Sequence, residues 1–600
     1  MTTQRKRQTE PSYGRALVEM IKAQPLRYLA ALFLWSAIWT MPVLIGLVIA
    51  YFFDELAAGI ENETVMLVVG LTFAYAAGRS VVIFLGMRNH ARLLFRMMAT
   101  ARRTLLARIF EMPGAASVDE SPGEIVSRFR DDVEHVMEPF DISVDLVGAL
   151  VGGAISLTLL WSIDPTITLV IMLPVLVVAV VANRTGGLVR RYRREARDAT
   201  EAITGFLGET FNATQAVKVA GAEDPMVGRF VELNSVRKDR MVRDRTLTSV
   251  LEAVYRNTVN IGTGLVLLLA AGRLSVSGDA GISYGEFALF VFLLPHMADM
   301  SFFIGMFVQR SKQGIVSLGR LAKTMKSDDW LRLFRKAPIG IDGDVPPPLK
   351  PAPERGHFES LAVHGLGYTY PGSSNGIADV DLEVGRGEFV VVTGRVGSGK
   401  TTLLRAILGL LPADEGLVEW NGEVVDAPGV VMVPPHVAYT PQVPKLFSMT
   451  LEDNLVLGDD VDDSGLNQSI YIATMRHDID QMPEGLETMV GPRGVRLSGG
   501  QIQRSATARM LTRDSQLLVL DDVSSALDVE TEQLLWTRLF NARSEVGALV
   551  VSHRHAALAR ADRVVVMDGG RVVAVGTAEQ LQEDSDTFRA IWEGALSAAS

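Results

Sequence analysis

Two domains of unlike class are predicted for this 600-residue chain: an all-α membrane domain of six helices, then an α/β phosphate-loop domain that binds nucleotide. Three observations carry that prediction. Long apolar runs crowd the first half, whereas the second half alternates short strand-like and helical patterns. A proline-rich stretch separates the halves, and Gly394 to Thr401 reads GxxxxGKT between a strand pattern and a helix pattern. Length alone sets roughly two to four domains. With no cysteine, disulfides and thiolate metal or redox sites are excluded. The net charge is −11, and Lys and Arg gather in loops between apolar runs, which argues against a nucleic-acid partner.

Taken in order, residues 1–24 form a tail and an elbow helix. Arg5, Lys6 and Arg7 give a basic start, but no small-residue cleavage site follows a short apolar core, so the segment is expected to be retained. From Ser12 to Ala23, Ala16, Leu17, Met20 and Ile21 share one face, as in a helix lying at a membrane interface. Residues 25–325 form the membrane domain. Its apolar stretches, at about 28–53, 64–86, 142–161, 165–183, 247–272 and 283–309, approach the roughly 20 residues that cross a hydrocarbon core. Arginines fill 87–110 (Arg88, Arg92, Arg96, Arg102, Arg103, Arg108) and 184–197, while 54–63 offers only Asp54, Glu55, Glu61 and Glu63. The positive-inside rule therefore predicts both termini on the cytoplasmic side of the cytoplasmic membrane. The long inner connections, about 87–140 and 184–246, are rich in helix formers and are predicted to extend the helices beyond the bilayer. Outer loops are short. Within the sixth span, His296 and Asp299 share a helical face just after Pro295, which makes them candidates for substrate or proton contact, with packing as the alternative. Met297, Met300, Phe302, Phe303, Met306 and Phe307 around them would suit varied hydrophobic ligands.

Residues 326–356 are a linker stiffened by Pro338, Pro346, Pro347, Pro348, Pro351 and Pro353. Residues 357–600 carry the nucleotide chemistry. Glu388 to Thr393 is a buried-strand pattern that runs into Gly394, Arg395, Val396, Gly397, Ser398, Gly399, Lys400 and Thr401, then into a helix expected from Thr402. Glycines let the loop fold tightly enough for successive N–H groups and a helix N-terminus to face phosphates. Lys400 is placed for the β/γ-phosphates and the Thr401 hydroxyl for Mg²⁺. A second apolar run, Leu517 to Leu520, ends in Asp521, placed to act on Mg²⁺, and Asp522, placed to activate the attacking water.

The order of phosphate loop, Leu497-Ser498-Gly499-Gly500-Gln501, apolar strand with acidic end and Ser552-His553 resembles the ATP-binding cassette of ABC transporters. Six preceding spans with long inner loops resemble an exporter half-transporter, so the likeness covers nearly the whole chain. The resemblance implies ATP and Mg²⁺ as ligands, with Tyr370 on adenine and Thr402 completing the phosphate loop. It implies Gln442 on Mg²⁺ and the attacking water, His553 on the γ-phosphate, and Asp528 in a loop between two sites. Ser498, Gly499, Gly500 and Gln501 would close on the γ-phosphate held by a second half-transporter, with ATP acting as glue between cassettes. Gly123-Glu124 with Ser127-Arg128 and Asp131-Asp132 resembles the stretch after a first coupling helix, and Glu209 through Lys218 resembles a second.

Two positions depart from the family pattern. Asp522 stands where the catalytic base is normally glutamate, and Pro492, in Gly491-Pro492-Arg493-Gly494, stands where many exporters carry glutamate. A shorter base implies slow hydrolysis at this chain's own phosphate loop and favours a heterodimer over a homodimer with two slow sites. The functional expectation is ATP-driven export of a hydrophobic or amphipathic drug, lipid or peptide; an ATP-gated channel or regulatory subunit is the alternative.

Overall fold

The computed structural model describes residues 11–114, 121–270, 281–340, 356–492, 495, 497–524 and 527–594; side chains at 171, 174–179, 182–183, 255–256, 258–259 and 298–302 fall outside it. The basic start at Arg5 to Arg7, the loop between the fifth and sixth spans, most of the linker prolines, Arg493, Gly494, Ser525, Ala526 and the Asp299, Met300 and Phe302 side chains thus lie outside the described residues. Two compact units emerge, one of Met1–Leu105 with Pro122–Val345, the other of Leu106–Ser121 with Pro346–Ser600.

The first unit is helical: α1 (Tyr13–Ala23), α2 (Pro25–Ala58), α3 (Asn62–Glu111), α4 (Pro122–Ser127), α5 (Val133–Ile163), α6 (Pro165–Asn212), α7 (Thr214–Val219), α8 (Glu223–Ala270) and α9 (Tyr284–Met325). Over the described residues, each of the six long helices takes up one of the six apolar stretches, apart from Ser283, which caps its helix. Among the described residues, Pro25–Ala58, Asn62–Glu111 and Pro122–Ile163 are long and apolar enough to cross a membrane by length and composition.

Helix ends are set by local chemistry. Asp164 accepts from the Thr166 and Ile167 amides at 2.7 and 3.1 Å, with Pro165 opening α6. Ser283 and Glu286 form a capping box that starts α9. Asp54, near the C-terminal end of α2, also accepts from the Gly285 amide at 2.7 Å, so this carboxylate ties two of the long helices together. Between helices, small residues admit bulky neighbours: a Cβ at Gly148 would come within 3.0 Å of the Trp35 carbonyl, and one at Gly46 within 2.8 Å of Leu289. Beyond the apolar stretches, buried Asp132 pairs with Arg128 at 2.9 Å and faces Arg320 at 3.5 Å. α1 buries Tyr13, Ala16 and Met20 against the protein, and the Tyr13 hydroxyl donates to the Val136 carbonyl at 2.8 Å. Its Ala16/Met20 stripe is therefore a packing face as much as a membrane face.

The second unit contains β1 (Ser360–Thr369), β2 (Gly376–Gly385), β3 (Phe389–Gly394), β4 (Glu415–Trp420), β5 (Glu423–Val424), β6 (Val437–Thr440), β7 (Met449–Thr450), β8 (Met489–Val490), β9 (Leu517–Asp521), β10 (Gly547–Val551), β11 (Arg563–Asp568) and β12 (Arg571–Gly576). A six-stranded sheet runs β12-β11-β3-β10-β9-β6, and an antiparallel sheet runs β2-β1-β4-β5. β3, β9 and β10 are buried along their whole length, as unbroken Val/Leu runs require of parallel strands covered on both faces. Register then decides what meets: Val392 lies opposite Val551, Val551 opposite Asp521, and Leu520 opposite Thr440. The carboxyl ends of β3, β10, β9 and β6 thus form one edge, where open α/β sheets bind ligands.

Candidate nucleotide site

The loop leaving β3 turns at Gly394 (φ 149°), Gly397 (φ 84°) and Gly399 (φ 97°), backbone angles that favour glycine. A Cβ at Gly399 would strike Ile377 at 2.8 Å, whereas one at Gly397 meets nothing within 4 Å. The loop is pressed onto the protein at one glycine and open at the other, as a backbone cradle for phosphate must be. α10 (Lys400–Ile407) begins two residues before the expected Thr402, so Lys400 itself opens the helix and the N-terminal amides face the loop. Lys400 Nζ donates to the carbonyls of Gly394 and Arg395 at 2.9 and 2.8 Å and approaches Ser398 Oγ at 3.4 Å. Burial pushes this ammonium below the ordinary lysine range, against the pull of Asp522 and Asp521. Arg395 and Val396 form the exposed crest of the loop.

Thr401 Oγ1 donates to Asp521 Oδ1 at 3.1 Å, bringing the two oxygen donors expected for Mg²⁺ side by side. Two oxygens fit a hard cation that takes its remaining oxygens from phosphates and water. Burial raises the Asp521 carboxyl above the usual range, and the Thr401 hydroxyl partly offsets it. Asp522 follows in left-handed backbone geometry (φ 51°), its amide donating to the Val551 carbonyl at 3.0 Å. Gln442 Nε2 donates to Asp522 Oδ2 at 3.2 Å, and His553 Nδ1 lies 3.9 Å from Oδ1. Two side chains more than a hundred residues apart in sequence therefore meet at one carboxylate. Burial raises the Asp522 carboxyl, opposed by His553 and Gln442.

Tyr370, expected on adenine by resemblance, lies beside the helix that leaves the loop, its hydroxyl 3.2 Å from Thr402 Oγ1 and its ring 5.1 Å from that of Tyr368. Ser498 caps the helix Gly499–Leu511 in a capping box with Gln501, with Gly500 in its first turn. Asp528 caps the next helix, Val529–Ala542, accepting from the Thr531 amide at 2.9 Å.

Sequence reasoning missed two groups here. Asp478 accepts from Arg504 Nε and Nη2 at 2.9 and 2.8 Å and from Gln501 Nε2 at 3.2 Å, anchoring the LSGGQ helix. Tyr439, three residues before Gln442, lies 3.5 Å from Asp521 Oδ2, and burial pushes its phenol up to about 12. A tyrosine at the end of an apolar strand was the available signal for the second; nothing local marked the first. In the membrane unit the His296 ring lies 5.4 Å from that of Trp39, which in turn meets Phe303 at 5.0 Å.

A phosphate cradle, an oxygen pair for a metal and a carboxylate met by Gln442 and His553 on one sheet edge describe an ATPase. Family profiles agree: "ABC transporter" matches residues 377–525 and "ABC transporter transmembrane region" matches residues 28–297. The chain is an ABC transporter. It is an exporter-type half-transporter, one helical membrane domain fused to one ATPase domain, and it couples ATP hydrolysis to transport. Among its relatives is the Bacillus subtilis (strain 168) protein named "Probable multidrug resistance ABC transporter ATP-binding/permease protein YheI", 26% identical over 577 residues, 95% of this chain and 96% of that one. An "ATP-dependent lipid A-core flippase" of Xanthomonas euvesicatoria pv. vesicatoria (strain 85-10) is 29% identical over 496 residues, 80% of this transporter and 79% of that protein. The fold is shared with a solved bacterial Atm1-family ABC exporter with ATP bound, at a TM-score of 0.75 and 18% identity, covering 96% of this chain and 99% of that one. The transporter is thus a multi-pass membrane protein that binds ATP.

Proposed function

We propose that this transporter exports a hydrophobic or amphipathic compound, a drug, lipid or peptide, across the cytoplasmic membrane, with both termini and the ATPase domain in the cytoplasm. The names of the relatives, one multidrug and one lipid, support that range of substrates. Gly394 through Thr402 hold the triphosphate, with Lys400 leaving its loop carbonyls for the β/γ-phosphates, and Tyr370 stacks on adenine. Thr401, Asp521 and Gln442 hold Mg²⁺, which when bound neutralises charge on the transferred phosphoryl group. Asp522 orients and deprotonates the attacking water, while His553 donates to the γ-phosphate.

The observation that carries this reading is the convergence of Gln442 and His553 on Asp522 at the edge where the phosphate loop ends. Ser498, Gly499, Gly500 and Gln501 serve a phosphate held by another chain, as the resemblance implies, and their capped helix N-terminus anchored to Asp478 supports that role. We favour a non-identical partner. An aspartate at 522 sets the carboxylate back by about one C–C bond, and a shift on the order of 1 Å costs roughly a hundredfold in rate. This chain's own pocket then mainly holds ATP, and its LSGGQ completes the faster site.

Inside-out vesicles loaded with a fluorescent amphiphile test the transport reading. Accumulation beyond the imposed gradient, dependent on ATP and abolished by Lys400→Ala, is expected. Flux that follows the gradient and never exceeds it would instead indicate an ATP-gated channel. A neighbouring reading frame encoding a half-transporter with glutamate after its strand aspartate and an altered LSGGQ, copurifying with this chain, is the expected partner.

A further inference from the structure

The turn that follows β10 carries a second functional group besides His553. Ser552 Oγ accepts from the Arg554 amide at 3.1 Å, so the chain bends back on itself around His553. The Arg554 side chain then crosses to the segment that leaves β9. Its Nη1 donates to the Leu527 carbonyl at 2.9 Å and to Glu532 Oε2 at 3.3 Å. At the other end of that segment the Asp522 amide donates to the Val551 carbonyl at 3.0 Å. Val551 and Arg554 therefore hold the run from Asp522 to Leu527 at both of its ends, and His553 lies between the two holds.

Glu532 is the costly member of this arrangement. Its side chain is 2% exposed, its cation Arg554 is mostly buried, and its second carboxylate oxygen accepts from Trp536 Nε1 at 3.3 Å. Trp536 is itself buried and packs on Phe389 at the start of β3, with ring centroids 5.6 Å apart. A buried ion pair is a poor source of net stability, because desolvation of both ions offsets most of their attraction and neutral side chains of similar size serve a fold as well. What the guanidinium supplies is a planar, permanently charged donor for the Leu527 carbonyl, with Glu532 fixing the guanidinium in turn. Leu527 immediately precedes Asp528, whose carboxylate caps the next helix.

We propose that Arg554 is a positioning residue for ATP hydrolysis: it fixes the Leu527 carbonyl, and through it the run from Asp522 to Asp528, against the turn that carries His553. This role rests on the reading of Asp522 and His553 as the groups that handle the attacking water and the γ-phosphate. With both ends of the run held, the Asp522 carboxylate and the His553 imidazole keep one spacing, 3.9 Å from Oδ1 to Nδ1. With the Leu527 end released, the run is held only at Val551 and that spacing is no longer fixed. Arg554 acts through these two residues and not on the nucleotide.

Phosphate release from the full-length transporter, followed against ATP concentration and beside Tm, tests this on three variants. Arg554→Met leaves Glu532 buried and unpaired, so Tm and kcat both fall. Adding Glu532→Gln removes the stranded charge and still gives Trp536 an acceptor. In that double variant Tm returns toward the starting value, while kcat stays down on the order of tenfold and KM for ATP changes less than about twofold. A kcat that recovers together with Tm makes the pair structural and overturns the proposal, as does a KM that rises while kcat holds. Should the double variant not fold, Arg554→Lys is read by itself, since it keeps the charge without the planar group. About threefold lower kcat at unchanged KM is expected there, and full turnover overturns the proposal. Lys400→Ala in the same preparation abolishes phosphate release; release that survives it overturns the reading of the site, and this role with it, whereas a failure at Arg554 alone leaves that reading standing.

Discussion

Replacing Asp522 by glutamate has two consequences of opposite sign. The added methylene advances the carboxylate by about 1.5 Å toward the γ-phosphate position. A reacting geometry improved by that order gives up to about a hundredfold in rate, or ~2.7 kcal/mol of barrier. The backbone responds in the other direction. Asp522 sits at φ 51°, a region several-fold enriched in Asp and Asn but not in Glu, so glutamate costs about 0.5–1 kcal/mol there. For a domain of this size the expected fall in Tm is about 1–4 °C. The assay is phosphate release at saturating ATP from the chain purified alone, with calorimetry on the same samples. A rise of roughly ten- to a hundredfold with a slightly lower Tm is expected for Asp522→Glu, and a fall below the starting rate for Asp522→Asn. In a preparation with a competent partner the total rate rises only about twofold, since one of two sites already turns over. Unchanged rates in both variants, at unchanged ATP affinity, would refute Asp522 as the base.

Lys400→Ala removes the ammonium that now bridges the Gly394 and Arg395 carbonyls; ATP affinity falls at least tenfold by fluorescent-nucleotide titration, and retained affinity counts against the phosphate-loop assignment. The raised carboxyls of Asp521 and Asp522 stabilise the ligand-free fold below the ordinary aspartate value, a contribution lost as pH rises through their raised values. Binding of MgATP has the reverse sign, because the metal needs Asp521 ionised. Its affinity should fall as pH drops toward the raised Asp521 value, with proton release, measured by calorimetry in two buffers, that Asp521→Asn reduces. Asp478→Ala leaves half-buried Arg504 and Gln501 without their shared acceptor, which costs about 2 kcal/mol, seen as a lower Tm and slower ATPase.

Folding added partners that the sequence did not show. The Ala16/Met20 face of α1 packs on protein, with Tyr13 hydrogen-bonded to Val136. Asp54, legible only as an outer-loop charge, tethers the start of α9. Gln442, expected on the metal by resemblance, also has its amide nitrogen on Asp522, and its carbonyl oxygen is a separate atom. Each of these contacts joins side chains far apart along the chain, and sequence spacing carries no information on such partners.

Contiguous features were readable without coordinates. The phosphate loop, the apolar strand ending in Asp521 and the capped LSGGQ turn each depend on backbone geometry within about ten residues, and glycine, small polar caps and Val/Leu runs specify that geometry directly. Apolar length likewise marked the spans. Tertiary structure alone decided that Gln442, Asp522 and His553 meet, because the sheet order β3-β10-β9-β6 and its register bring their strand ends together. It alone placed Asp478 beneath the LSGGQ helix and brought Arg554 onto the Leu527 carbonyl and Glu532. Those groups are joined by packing of whole elements, whose free energy is spread over buried faces rather than written at any single position.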